Sequence, residues 1–211
     1  MLPDQLYALI STIIIALLAI ALAVVIVQNY LRKNSASKLF WSLGMITFAV
    51  STVLQIPFAY GIYSTLLISL YLFLVVLLVQ LFALGSIQMV KNGNIRHFYY
   101  GFTIFASALT LYSIVSSKIG NLLIGNVVAG LPPDFVLWAS SIATFPAALV
   151  IIVCAGIAYQ RTKQRKLLSI IAGVIVVSIA GTLYIAAFPA FLYFAEFVGV
   201  LLLWNGFLVS K

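Results

Sequence analysis

The chain has 211 residues, of which 65% are hydrophobic and 7% charged, and its mean hydropathy is +1.25. A soluble globular domain carries about a quarter of its residues charged, so this composition excludes one. A soluble catalytic domain is excluded with it, because apolar runs and short connections use up nearly the whole chain. The net charge of +8 does not point to nucleic acid, since the eleven basic residues sit at the ends of apolar runs, where membrane proteins display their topology.

The N-terminus, Met1 to Leu6, lacks the basic leader of a cleaved signal peptide. The first apolar run therefore reads as a true span over 6–27, with Ala16, Ala19 and Ala23 on one side for close packing in lipid. A polar segment with Arg32, Lys33 and Lys38 follows. Residues 39–90 then carry no charge and are too many for one crossing of a hydrocarbon core about 30 Å thick. Tyr60-Gly61 marks the break, giving spans over 39–59 and 64–90. Turn residues and positive charge from Lys91 to His97 close the third span. The fourth, 98–117, opens on the interfacial aromatics Phe98, Tyr99 and Tyr100.

The connection from Lys118 to Asp134 holds two short β-prone runs around Gly125-Asn126, a pair suited to a two-residue hairpin turn. It predicts a small hairpin or compact cap, the alternative being an irregular apolar loop resting on the lipid headgroups. The fifth span, 135–159, contains Pro146, which can kink it. After the cluster Arg161, Lys163, Arg165 and Lys166, residues 167–209 contain one charge, Glu196, and one proline, Pro189. As a single helix they would reach about 65 Å, so they must fold back at Phe188-Pro189 into spans over 167–187 and 190–209.

The expected fold is an all-α integral membrane protein, a single bundle of seven transmembrane helices. Every basic residue except Lys118 falls on one side of it, which places the N-terminus outside and the C-terminus in the cytoplasm. The expected location is the plasma membrane.

Several chemistries lack their residues. A retinal Schiff base needs a lysine in the last span, which has none, and a cytochrome b needs paired axial histidines, whereas His97 is the single histidine. No zinc-type spacing, phosphate-binding glycine loop or nucleophile triad occurs. Cys154 is the single cysteine, which rules out an intrachain disulfide. Asp4 and Asp134 fall at span ends, as solvated termini or helix caps. The chain therefore reads as a non-enzyme with no cofactor and no metal.

Polar and small residues recur at helical spacing: Gly44, Thr47, Ser51 and Gln55 in span two; Thr103, Ser107, Thr110 and Ser113 in span four; Ser141, Thr144 and, a little off the same line, Tyr159 in span five; Ser169, Gly173 and Tyr184 in span six. Such stripes are most often packing faces. Gln80 and Gln88 are larger and would bond neighbouring helices or line a vestibule. An ionisable group within a span normally faces the bundle interior, which singles out Glu196. Depth along the spans then suggests an outward-opening, ligand-binding pocket lined by Gln55, Thr110, Thr144, Tyr184, Tyr193 and Glu196, with the 121–133 connection partly covering it. Dry packing with no cavity is the competing outcome.

Three short motifs carry a resemblance: Leu39-Phe40-Trp41-Ser42-Leu43 after the basic first loop, Leu84-Gly85-Ser86, and the run from Tyr193 to Gly199 that includes Glu196. In these the chain resembles prokaryotic seven-helix membrane regions that precede sensor histidine kinases, and related stand-alone seven-helix proteins. The resemblance implies a membrane sensing or ligand-binding module and carries over no functional residue. Two other readings stand beside it: a small-solute or proton-coupled transporter with a 3+1+3 helix layout like that of the SWEET class, and a structural subunit of a larger membrane complex. The expected partners are the lipid bilayer and either other membrane subunits or a separate cytoplasmic signalling protein, with no nucleic acid.

Overall fold

The computed structural model describes residues 3–124, 127–128, 130–164, 168–173, 175–176 and 197–205. Among them are five long helices: α1 (Pro3–Arg32), α2 (Ala36–Ala59), α3 (Thr65–Ile87), α4 (Gly93–Ser116) and α5 (Asp134–Thr162). Each is long and apolar enough to cross a bilayer, which makes the chain a helical, multi-pass membrane protein. Residues 168–173, 175–176 and 197–205 are also helical. A hairpin of β1 (Leu123–Ile124) and β2 (Val127–Val128) interrupts the helices, with Leu123 opposite Val128 and Ile124 opposite Val127. The flanking runs thus pair as a hairpin, while the turn pair Gly125-Asn126 itself lies outside the described residues.

Local chemistry sets the helix ends. The Ser35 side chain accepts from the Lys38 N–H at the start of α2, and Asn92 Oδ1 accepts from the Asn94 N–H at the start of α4. Past α2, Gly61 turns the chain with φ 75°, which a side chain would resist, and its N–H reaches the Phe58 carbonyl at 2.8 Å. α5 runs on through Pro146 and stops at Lys163, whose φ of 54° and N–H bond to the Tyr159 carbonyl (2.7 Å) end the helix. Asp134 opens α5, and Pro133 takes the cap position. Hydropathy and helix part company at several ends, most widely at two. α1 continues past Val27 to Arg32, and α4 begins at Gly93, before the aromatic run. Polar residues such as Gln28 and Arg32 sustain a helix well enough after the apolar stripe has ended.

α3 is central and packs on α2, α4 and α5, while α1 lies against α2. Lipid tails are as apolar as leucine, so burial alone does not hold such helices together; close contact over small residues does. Ala16, Ala19 and Ala23 are indeed the buried side of α1. Gly44 lets α2 meet Phe82, where a Cβ would come within 2.5 Å of the ring. One turn from the ends of α2 and α3, Gly85 leaves room for the indole of Trp41, which stacks on Phe82 at 4.7 Å. There Ser37 Oγ donates to the Gly85 carbonyl (2.6 Å) and Ser42 Oγ to that of Ile26 (3.3 Å). Two of the three motifs behind the resemblance therefore form one joint.

That joint belongs to a core at the end of the bundle carrying Arg32, Lys38, Arg96 and Arg161, the basic end. Met45, Phe82, Ile87, Tyr99, Ile151 and Cys154 share it with Ile170, Val200 and Leu203. The last two helical stretches meet antiparallel, as a fold-back requires. Ser169 Oγ donates to the Leu202 carbonyl (2.7 Å), and a Cβ on Gly173 would stand 3.3 Å from the Gly199 carbonyl. The turn at Phe188-Pro189 lies outside the described residues. A second core fills the opposite, hairpin end, where Phe58, Ile68, Tyr71, Ile114 and Val136 enclose Ile119, Leu122 and Val128. The outward surfaces of α1, α4 and α5 present large apolar side chains, among them Leu17, Ile104, Phe105, Phe145 and Leu149, as contact with lipid demands.

Candidate functional site beneath the hairpin

Three of the six predicted pocket residues, Gln55, Thr110 and Thr144, are described; Tyr184, Tyr193 and Glu196 lie outside the described residues. Gln55 is 5% exposed and donates from Nε2 to Tyr71 Oη at 3.2 Å. Tyr71 in turn meets Phe58 edge-on, with ring centroids 5.7 Å apart. Tyr71 was not among the predicted residues, although one signal pointed to it. Gln55 and Tyr71 stand at nearly equal distances on either side of the turn around 60–64, so antiparallel helices bring them level.

The hairpin closes over this pair. β2 packs on α2, and Leu122 and Val128 share a core with Phe58 and Tyr71. The Gly130 N–H bonds the Leu122 carbonyl at 2.8 Å, and this approach needs glycine, because a Cβ on Gly130 would stand 2.8 Å from the Leu122 Cα. Tyr63 Oη donates to the Ile119 carbonyl (3.3 Å), tying the α2–α3 turn to the same connection. An amide and a phenol thus lie under an apolar cover. Such a pair is polar and neutral, and it supplies neither a nucleophile nor a charge.

Thr110 and Thr144 bond within their own helices. Thr110 Oγ1 donates to the Ala106 carbonyl (2.8 Å) and Thr144 Oγ1 to that of Ser140 (2.9 Å). Ala106 and Ala143 pack with Val76 where α3, α4 and α5 meet, so these hydroxyls flank a packing seam. Thr47, Ser51 and Thr103 likewise bond carbonyls of their own helices, the local satisfaction open to any serine or threonine in a helix. Ser141 is exposed and does not join an inward stripe.

The larger amides do bond across helices. Gln88 Nε2 donates to Tyr100 Oη at 2.6 Å at the basic end. Gln80 is fully buried, and its Oε1 accepts from Ser107 Oγ at 2.5 Å, while its Nε2 meets no hydrogen-bond partner among the described residues. His97 bonds through Nδ1 with the Gly93 carbonyl (2.8 Å) and is exposed, so it serves its own helix end. No group of His, Cys, Asp and Glu among the described residues has the proximity to hold a metal ion.

No family model matches the chain, and neither a curated protein nor a solved structure matches it.

Proposed function

We propose that the chain is a non-enzymatic sensing or ligand-binding module of the plasma membrane. In this reading it has seven spans, an external N-terminus, and a site for a small neutral or amphipathic ligand at its outer end. The supporting observation is the buried Gln55–Tyr71 pair enclosed by the apolar hairpin. Polar groups buried in a membrane protein are costly unless they are used, and a cover built to exclude lipid and water from two hydrogen-bonding groups suits a receptor site. Glu196, Tyr184 and Tyr193 join the site in this reading by their sequence depth alone. The apolar outward faces of α1, α4 and α5 favour a bundle bathed in lipid over a subunit enclosed by others. The test is mass spectrometry of small molecules extracted from protein purified in polymer-bounded native membrane. A non-lipid compound retained by the wild type and lost in Gln55→Leu and Tyr71→Phe supports the reading. Equal retention by all three proteins, or bulk lipid alone in the wild type, refutes it.

A further inference from the structure

A concavity lies on the outside of the bundle, between α1 and α2, and neither Gln55 nor Tyr71 is among the residues lining it. Its volume is about 460 Å³, within the range of about 300–1,000 Å³ usual for small-molecule sites. The small, buried side chains of Ala23 and Ala49 line its floor, where larger ones would have filled the seam. Val24 forms one wall, and Ile46, Val50 and Val53 the other; all four are exposed. The only polar side chain among those lining it is Gln28, at the end of the groove nearest the basic end.

The surroundings of Gln28 give the groove a direction. Arg32 follows one helical turn later on the same face of α1 and is exposed. From α2, Lys38 reaches across, its Nζ donating to the Asn29 carbonyl at 3.4 Å. The groove is thus apolar along its length, with an amide at one end and two cations just beyond. No acidic residue lies in α1 after Asp4 or anywhere in α2 to neutralise them.

We propose that this groove is a binding site for one anionic phospholipid. An acyl chain lies between Val24 and Val50, and the headgroup phosphate is held by Gln28, Arg32 and Lys38. An apolar trough opening towards lipid accepts an acyl chain whatever its headgroup; the cations beyond Gln28 make the site select an anionic one. The site is independent of the one beneath the hairpin, and either can fail without the other.

The test uses full-length protein in phosphatidylcholine vesicles carrying a trace of phosphatidylglycerol or phosphatidylcholine with a photoreactive diazirine in one acyl chain. After illumination, peptide mass spectrometry locates the label. The proposal expects phosphatidylglycerol to label the Val24 and Val50–Val53 segments in preference to phosphatidylcholine. In Arg32→Gln/Lys38→Gln that preference falls by about fivefold for each charge removed, while labelling by phosphatidylcholine is unchanged. Val50→Trp, at an exposed position, fills the groove and abolishes the label there. Equal labelling by the two lipids, or a preference that survives loss of both charges, marks an ordinary lipid-facing surface and overturns the proposal. The charge variant lies outside the packed core, so the outcome can be read even where Val50→Trp fails to fold.

Discussion

The contact of Gly85 with Trp41 offers the sharpest energetic test of how the bundle is held together. A Cβ on Gly85 would fall on the indole ring, with Nε1 at 2.7 Å and the Ser37 carbonyl at 3.0 Å. The indole cannot retreat, because Phe82 stacks on its ring at 4.7 Å. Overpacking of this kind costs about 1–3 kcal/mol, and contact with a ring confined by Phe82 argues for the upper half of that range. The better helix propensity of alanine offsets at most about 1 kcal/mol. Gly85→Ala should therefore destabilise the protein by about 1–2 kcal/mol. Trp41→Ala removes the obstacle and by itself costs about 3–5 kcal/mol. In that background Gly85→Ala should be neutral, with the 3.0 Å approach to Ser37 cancelling the propensity gain, so the cycle yields a coupling of about 1–2 kcal/mol. The assay is reversible unfolding in mixed micelles, titrated with a denaturing detergent and followed by circular dichroism. A Gly85→Ala cost that is the same with and without Trp41 would refute the steric account.

Gln80 and Ser107 make a second case. Ser107→Ala leaves a fully buried amide with neither end bonded among the described residues and should destabilise by about 0.6–1.7 kcal/mol in the same assay, from the average to the largest value typical of side-chain bonds in membrane bundles. Gln80→Leu combined with Ser107→Ala removes both ends of the contact and should be closer to neutral than Ser107→Ala alone, since replacing both ends of a polar contact by apolar groups costs little. Gly173→Val presses a branched side chain onto the Gly199 carbonyl, 3.3 Å from the Cβ position, and should lower the thermal midpoint in detergent. Gly156→Val, where a Cβ meets nothing within 4 Å, should lower it much less.

Where one residue type alone satisfies the geometry, the structure could be read from the chain. The break after span two was legible because Gly61 supplies a positive φ in an otherwise uninterrupted apolar run. The hairpin was legible because β-prone residues flank a pair suited to its turn. Helix ends were less so, since hydropathy records where lipid begins and not where the hydrogen-bonded ladder stops; Arg32 and Gly93 illustrate the gap. For the candidate site the pattern singled out Gln55, whose amide bonds across helices, together with Thr110 and Thr144, whose hydroxyls bond within their own helices. A hydroxyl that lines a cavity and one that bonds the carbonyl a turn back have the same spacing. The motifs around Trp41 and Gly85 attract notice in sequence because a tryptophan and a glycine stand out, and their shared role here is packing.

An outward-facing receptor site requires that the hairpin end lie outside and the basic end inside, which single-cysteine labelling in intact cells measures directly. With Cys154 replaced by alanine, cysteines are placed at Asn34 and Gln164, both exposed at the basic end, and at Gly120, where a side chain meets open space beside the hairpin. A membrane-impermeant maleimide should label Gly120→Cys in intact cells, and Asn34→Cys and Gln164→Cys only after the membrane is permeabilised. Labelling of Asn34→Cys or Gln164→Cys from outside, with Gly120→Cys protected, would put the hairpin in the cytoplasm and contradict the account.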